Sequence, residues 1–123
     1  MHDTLKRYFQ AIKELNLEAW LACFAPTFEQ IDPVGGPVRT TREELTEFFT
    51  GLGGLFESVE LVPEKVYAAG SETALSWTGS GVGKNGKSVA FEGIDVFVLS
   101  PDGRIASLKA YWDMAPTMAA LMS

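Results

Sequence analysis

The sequence predicts an α+β fold, and two observations carry that expectation. Apolar residues recur at helical spacing through the early part of the chain, and after residue 56 the pattern turns to β-branched and alternating stretches separated by glycine-containing turns. Three N-terminal helices followed by a run of antiparallel strands would pack as a helical layer on one face of a curved sheet, with a hollow between them. No internal repeat is visible.

Taken in order, Asp3 or Thr4 is placed to cap a first helix whose inner stripe is Leu5, Tyr8, Ile12 and Leu15. Asn16 caps a second helix over LEAWLACFA, which Pro26 stops. FEQID at 28–32 reads as a short strand, and Asp32-Pro33 with Gly35 and Gly36 as a turn. Thr41 and Glu44 form a capping box that opens a third helix through Glu47, Phe48 and Phe49, ending at the glycines 51, 53 and 54. Strands are expected over 57–68, 72–82, 87–99 and 104–112, with KNG at 84–86 and PDG at 101–103 as hairpin turns.

Length and composition narrow the function. A chain of 123 residues is expected to be one domain over 1–123, able to bury about two-thirds of its unfolded surface. Sixteen acids against ten bases give a net charge of −6 without a basic cluster, which argues against a nucleic-acid surface. Cys23 is the only cysteine and His2 the only histidine. A disulfide within the chain is thereby ruled out, and a histidine zinc site or a Ser–His or Cys–His dyad is not expected. Cys23 lies in the apolar run AWLACFA and reads as a small buried hydrophobe. With no signal peptide and no apolar run of the ~18 residues needed to cross a bilayer, the protein is expected in the cytoplasm, away from membranes.

Three polar side chains stand in stretches that should be apolar. Tyr8 lies on the inner stripe of the first helix, Asp32 opens the turn after a strand, and Asp95 interrupts FEGIDVFVL. Period-2 alternation sets Asp95 on one strand face with Phe91, Gly93, Phe97 and Leu99. Desolvation there raises a carboxyl pKa, and a protonated Asp donates a hydrogen bond. The plainer alternative pairs Asp95 with Arg39 or Arg104. Asp32, beside a loop that partly solvates it, would stay ionised near neutrality and accept a proton; its alternative is a simple turn former. Tyr8 is either a cavity donor or an amphipathic core residue with its oxygen at the surface. Trp112 falls on the same face of the last strand as Ala106, Leu108 and Ala110.

At these residues the chain resembles the bacterial ketosteroid isomerase family, within the wider set of folds similar to nuclear transport factor 2 (NTF2-like). The matching segments are RYF at 7–9, DPVGG with TREEL at 32–45, and IDVFVLSPDGRIASLKAYW at 94–112. The resemblance implies a cone of curved antiparallel sheet closed by three helices, often paired into a homodimer through the sheet. It assigns Tyr8 and Asp95 to an oxyanion hole and Asp32 to the general base, with Trp112, Phe97, Val34 and Phe49 as apolar contacts. The implied substrate is an apolar ketone or enone whose double bond shifts into conjugation, with no cofactor and no metal. Two departures stand out. Phe24 and Phe49 occupy positions where some members carry tyrosines that support the oxyanion tyrosine, and Val34 replaces a bulkier aromatic near the base. A SnoaL-like polyketide cyclase and a non-enzymatic binder of an apolar small molecule are the competing expectations.

Overall fold

A computed structural model describes all residues, 1–123. The chain runs α1 (Asp3–Glu14), α2 (Leu17–Leu21), β1 (Phe24–Ile31), β2 (Val38–Arg39), α3 (Arg42–Leu55), β3 (Phe56–Ala69), β4 (Glu72–Gly83), β5 (Ser88–Leu99), β6 (Ile105–Tyr111) and α4 (Ala115–Leu121). The six strands form one sheet in the order β2-β1-β6-β5-β4-β3. The α+β class holds, with one refinement to the antiparallel expectation: β1 runs parallel to β6.

The sheet curves because its strands approach closely at glycines and slip register. A Cβ on Gly79 would lie 2.4 Å from the Phe91 ring, and one on Gly81 2.5 Å from the Ser58 carbonyl oxygen. The β3–β4 ladder shifts register twice, near Phe56 and between Pro63 and Val66, which adds local twist. On the concave side α1 and α3 pack on β3 and α4 on β5. The core that joins these layers is rich in aromatics, with Trp20, Phe24 and Phe97 each almost wholly buried.

The expected third helix keeps its capping box: Glu44 N–H donates to Thr41 Oγ1 at 3.2 Å, and Glu44 Oε1 accepts from Thr41 N–H at 3.2 Å. It runs past its glycines to Leu55, because Leu52 and Leu55 pack against the core on its inner side. The second helix is shorter than expected. It ends at Leu21, because Ile105 N–H donates to the Cys23 carbonyl and draws Phe24 into the ladder with β6. Pro26 falls in a register break between Phe24 and Glu29, where no ladder donor is needed.

His2, not Asp3 or Thr4, caps α1: its Nδ1 accepts from Thr4 N–H at 3.1 Å. Thr4 Oγ1 then donates to the Gly103 carbonyl at 2.6 Å, tying the helix start to the turn before β6. The sequence pattern gave no sign of α4, a fourth helix that begins at an Ala-Pro step and seats Leu121 against Gly83. No helix is long and apolar enough to cross a membrane.

Candidate functional site

A cavity of about 590 Å³ lies between the concave sheet and the helices, within the size range of small-molecule sites. Its wall is mostly aliphatic and aromatic. Tyr8, Asp32 and Asp95, from α1, the turn after β1 and the centre of β5, all line it.

Tyr8 reaches the cavity because α1 turns the Leu5–Ile12 stripe inward, and it is 2% exposed. Its ring sits among Phe9, Phe97, Trp20 and Phe24, at centroid distances from 5.1 to 6.3 Å. Burial pushes the phenol pKa well above its ordinary value, and the charges of Asp95 and Asp32 push the same way, so Tyr8 is held as a proton donor.

Asp95 is 2% exposed. Trp77 Nε1 donates to Asp95 Oδ1 at 3.0 Å, and no cation reaches the carboxyl. Arg104 pairs with Asp102 at 2.7 Å, and Arg39 Nη1 donates to Gln30 Oε1 at 3.0 Å, so the ion-pair alternative for Asp95 is not what forms. Burial first, then the negative charge of Asp32, raises the Asp95 pKa well above the carboxylate range, against the indole bond that lowers it. The indole holds Asp95 Oδ1, and no side chain hydrogen-bonds the other carboxyl oxygen.

Gly93 makes that bond possible. It sits opposite Trp77 in the β4–β5 ladder, two residues before Asp95, and the missing side chain lets the indole lean across. A Cβ there would lie 2.6 Å from Trp77 Cζ2 and 2.8 Å from Trp112 Cβ. Gly93→Ala is therefore expected to destabilise the fold by about 1–3 kcal/mol, measurable by urea unfolding.

Asp32 lies just beyond β1, at a cis peptide bond to Pro33. The turn is held on the sheet by Val34 N–H, which donates to the Ala110 carbonyl at 2.8 Å. Trp112 Nε1 donates to Asp32 Oδ1 at 2.9 Å. The side chain borders open cavity space yet is enclosed by protein, and this desolvation raises its pKa. The Trp112 bond and the Arg39 charge oppose the rise. Both carboxyls are thus pushed upward by burial, and the causes differ: Asp32 has an indole bond and a cation opposing the rise, whereas Asp95 has an indole bond opposing it and the Asp32 charge adding to it.

Of the apolar contacts expected from sequence, Trp112 and Val34 line the cavity, whereas Phe97 and Phe49 do not. Phe97 is fully buried and stacks edge-on against Tyr8 and Phe9, beneath α1. Phe49 lies on the buried stripe of α3 with Leu45 and packs on Trp20 at 4.8 Å; the helical phase gives the cavity Phe48, Leu52 and Leu55 instead. Trp20 and Trp77 also form part of the wall. No three His, Cys, Asp or Glu side chains are grouped so as to hold a metal ion.

Residues 5–108 match the family model described as a SnoaL-like domain. The chain is 30% identical over 116 residues to a Steroid Delta-isomerase of Nocardioides simplex, covering 92% of each chain. Among solved structures it is similar to SalBIII, an epoxide hydrolase/cyclase-like enzyme in pyran ring formation in the polyether salinomycin. That likeness is 26% identity with a TM-score of 0.80, over 91% of this chain and 89% of the other. An NTF2-like protein of Burkholderia pseudomallei K96243 superposes with a TM-score of 0.85 over 98% and 95% of the two chains, at 17% identity, a likeness of fold alone.

Proposed function

The chain belongs to the SnoaL-like domain family, and on that footing we propose that it is an isomerase that moves a double bond in an apolar β,γ-unsaturated ketone through a dienolate. The observation that carries this is the convergence of two buried carboxyls, each held by a different indole, and one phenol on a single apolar cavity.

Asp32, as carboxylate, removes the proton from the carbon between carbonyl and alkene. The C–H electron pair becomes the new double bond to the carbonyl carbon, and negative charge gathers on the oxygen. Tyr8 and Asp95 each donate a hydrogen bond to that oxygen, in a site poor in water where such donors count most. Asp32 then delivers the same proton to the γ carbon, and the conjugated enone leaves. Atoms and charge balance without oxidant or reductant.

The test is direct. A β,γ-unsaturated steroid ketone mixed with the protein should give a rising conjugated-enone absorbance. A flat trace across several β,γ-enones, with no binding of a phenol that mimics the dienolate, would sink the assignment. The likeness to SalBIII favours one other chemistry, acid–base ring closure, in which Asp95 would protonate and Asp32 would deprotonate a cyclising polyketide. A cyclase would ignore the steroid and turn over an epoxide or enone polyketide.

Arg39 enters through Asp32, whose ionisation its cation favours. A base must be ionised to act, so activity falls as pH drops through the Asp32 pKa. Removing the cation raises that pKa further and moves the acid limb of the profile to higher pH. Arg39→Gln should therefore lower kcat/KM on that limb by roughly two- to fivefold, as for a partly exposed charge pair, and leave the plateau unchanged.

The protein would act as a homodimer. The sheet face away from the cavity carries Ile94 at 49% exposure, Tyr111 at 45% and Tyr67 at 69%, an apolar surface that a second copy would cover.

A further inference from the structure

The chain has three tryptophans, and all three line the cavity. Two of them already hold a site carboxyl: Trp77 bonds Asp95 and Trp112 bonds Asp32. The third, Trp20, is 1% exposed, and its Nε1 has no hydrogen-bond partner. A buried donor left unbonded costs desolvation that nothing returns.

Among the aromatic rings packed around it, one carries an acceptor oxygen. The Trp20 ring lies 4.9 Å from Phe24, 4.8 Å from Phe49 and 5.9 Å from Phe48, none of which can accept a conventional hydrogen bond. Tyr8, at 6.2 Å between ring centroids, is the neighbouring aromatic ring with an oxygen. Conversely, of the four rings packed on Tyr8, namely Phe9, Trp20, Phe24 and Phe97, Trp20 alone carries an N–H. The indole lies near enough to oppose the rise in the phenol pKa, though it falls short of hydrogen-bond geometry.

We propose that Trp20 is a positioning residue for Tyr8, its indole N–H closing onto the phenol oxygen as negative charge gathers there. The proposal deepens the isomerase assignment by naming what supports the oxyanion donor where Phe24 and Phe49 supply no hydroxyl. A phenol that gives up part of its proton to a dienolate gains basicity demand at its own oxygen, and a charge-assisted bond from behind meets it. The three site groups would then be served alike, one indole each.

The test needs no substrate, so it separates from the isomerase assignment. In a Tyr67→Phe, Tyr111→Phe background Tyr8 is the one tyrosine left, and fluorotyrosine incorporation brings its ionisation into reach of a fluorine NMR titration. Adding Trp20→Phe should lower the Tyr8 ionisation constant by about tenfold, the worth of one hydrogen bond to a charged group. An unchanged constant overturns the proposal. Should Trp20→Phe fail to fold, the Trp20 indole N–H resonance of the background protein serves in its place. It should shift with the midpoint of Tyr8 ionisation, and a resonance that stays still through that titration overturns the proposal equally. A clear Tyr8 effect beside a silent steroid assay would keep Trp20 in its role and remove only the substrate assignment.

Discussion

Asp32→Asn should lower turnover of a β,γ-unsaturated ketone by at least ~10²–10⁴-fold, because it removes the one group placed to take the proton. The substitution is nearly isosteric, and an amide oxygen can still accept from Trp112 Nε1, so the turn and the indole stay in place. Loss of activity would then be chemical and not structural. Equilibrium binding of a phenol to the variant should persist, since Tyr8 and Asp95 remain as donors. Thermal unfolding and phenol titration of the same preparation check both points. A variant that keeps its turnover would mean that another base acts and that Asp32 only shapes the turn. A variant that binds nothing would mean that Asp32 contacts ligand in the ground state, which a base waiting for a C–H proton has no need to do.

Much of the architecture could be read from local pattern. The α1 stripe, the Thr41–Glu44 capping box and the long β3, β4 and β5 strands are local signals, and the structure forms them with only small shifts at their ends. What escaped depends on tertiary partners. The run AWLACFA is as helical as its neighbours, yet Cys23 and Phe24 leave the helix because Ile105 pairs with them from far along the chain. Two-residue β2 is too short to show a period. Helix α4 is stabilised by docking, with Leu121 against β4 and Asn85 Nδ2 donating to the Ala120 carbonyl at 2.8 Å; neither contact is visible in APTMAAL.

The site divides in the same way. Tyr8, Asp32 and Asp95 stood out because each is polar where its element should be apolar, and the structure brings all three to one cavity. Their indole partners left no such mark, since a tryptophan in a strand or helix reads as core whatever its N–H does. For Trp77 a clue existed in register: it faces Gly93, and a large ring opposite a glycine beside an acid has room to lean toward that acid. Phe49 was misplaced by a single helical step, since Phe48 and Phe49 lie side by side in sequence and about 100° apart around the axis.

Asp95 should show function and stability pulling apart. Its folded pKa is raised above the unfolded value, so the stability linked to its proton is complete below the unfolded pKa and is lost as pH rises toward the folded one. Between those two pKa values the folded chain holds a proton that the unfolded chain releases, so stability declines as pH rises through that window. Asp95→Asn has no such titration. It keeps an oxygen for Trp77 Nε1 and an N–H₂ in place of the carboxyl O–H, so its stability should gain on the parent's as pH rises above the ordinary carboxylate range. The gain should shrink toward pH 4, and denaturant unfolding across pH would trace it. Turnover should fall only about tenfold, because a neutral amide still donates to the dienolate. Asp95→Ala separates the two roles. It removes the oxyanion donor, for a loss of ~10²–10³-fold in kcat, and leaves the buried Trp77 N–H unpaired, at about 1–3 kcal/mol. If Asp95→Asn instead gained nothing on the parent as pH rose, the carboxyl would be ionised in the fold, and a charged Asp95 has no proton to offer an enolate oxygen.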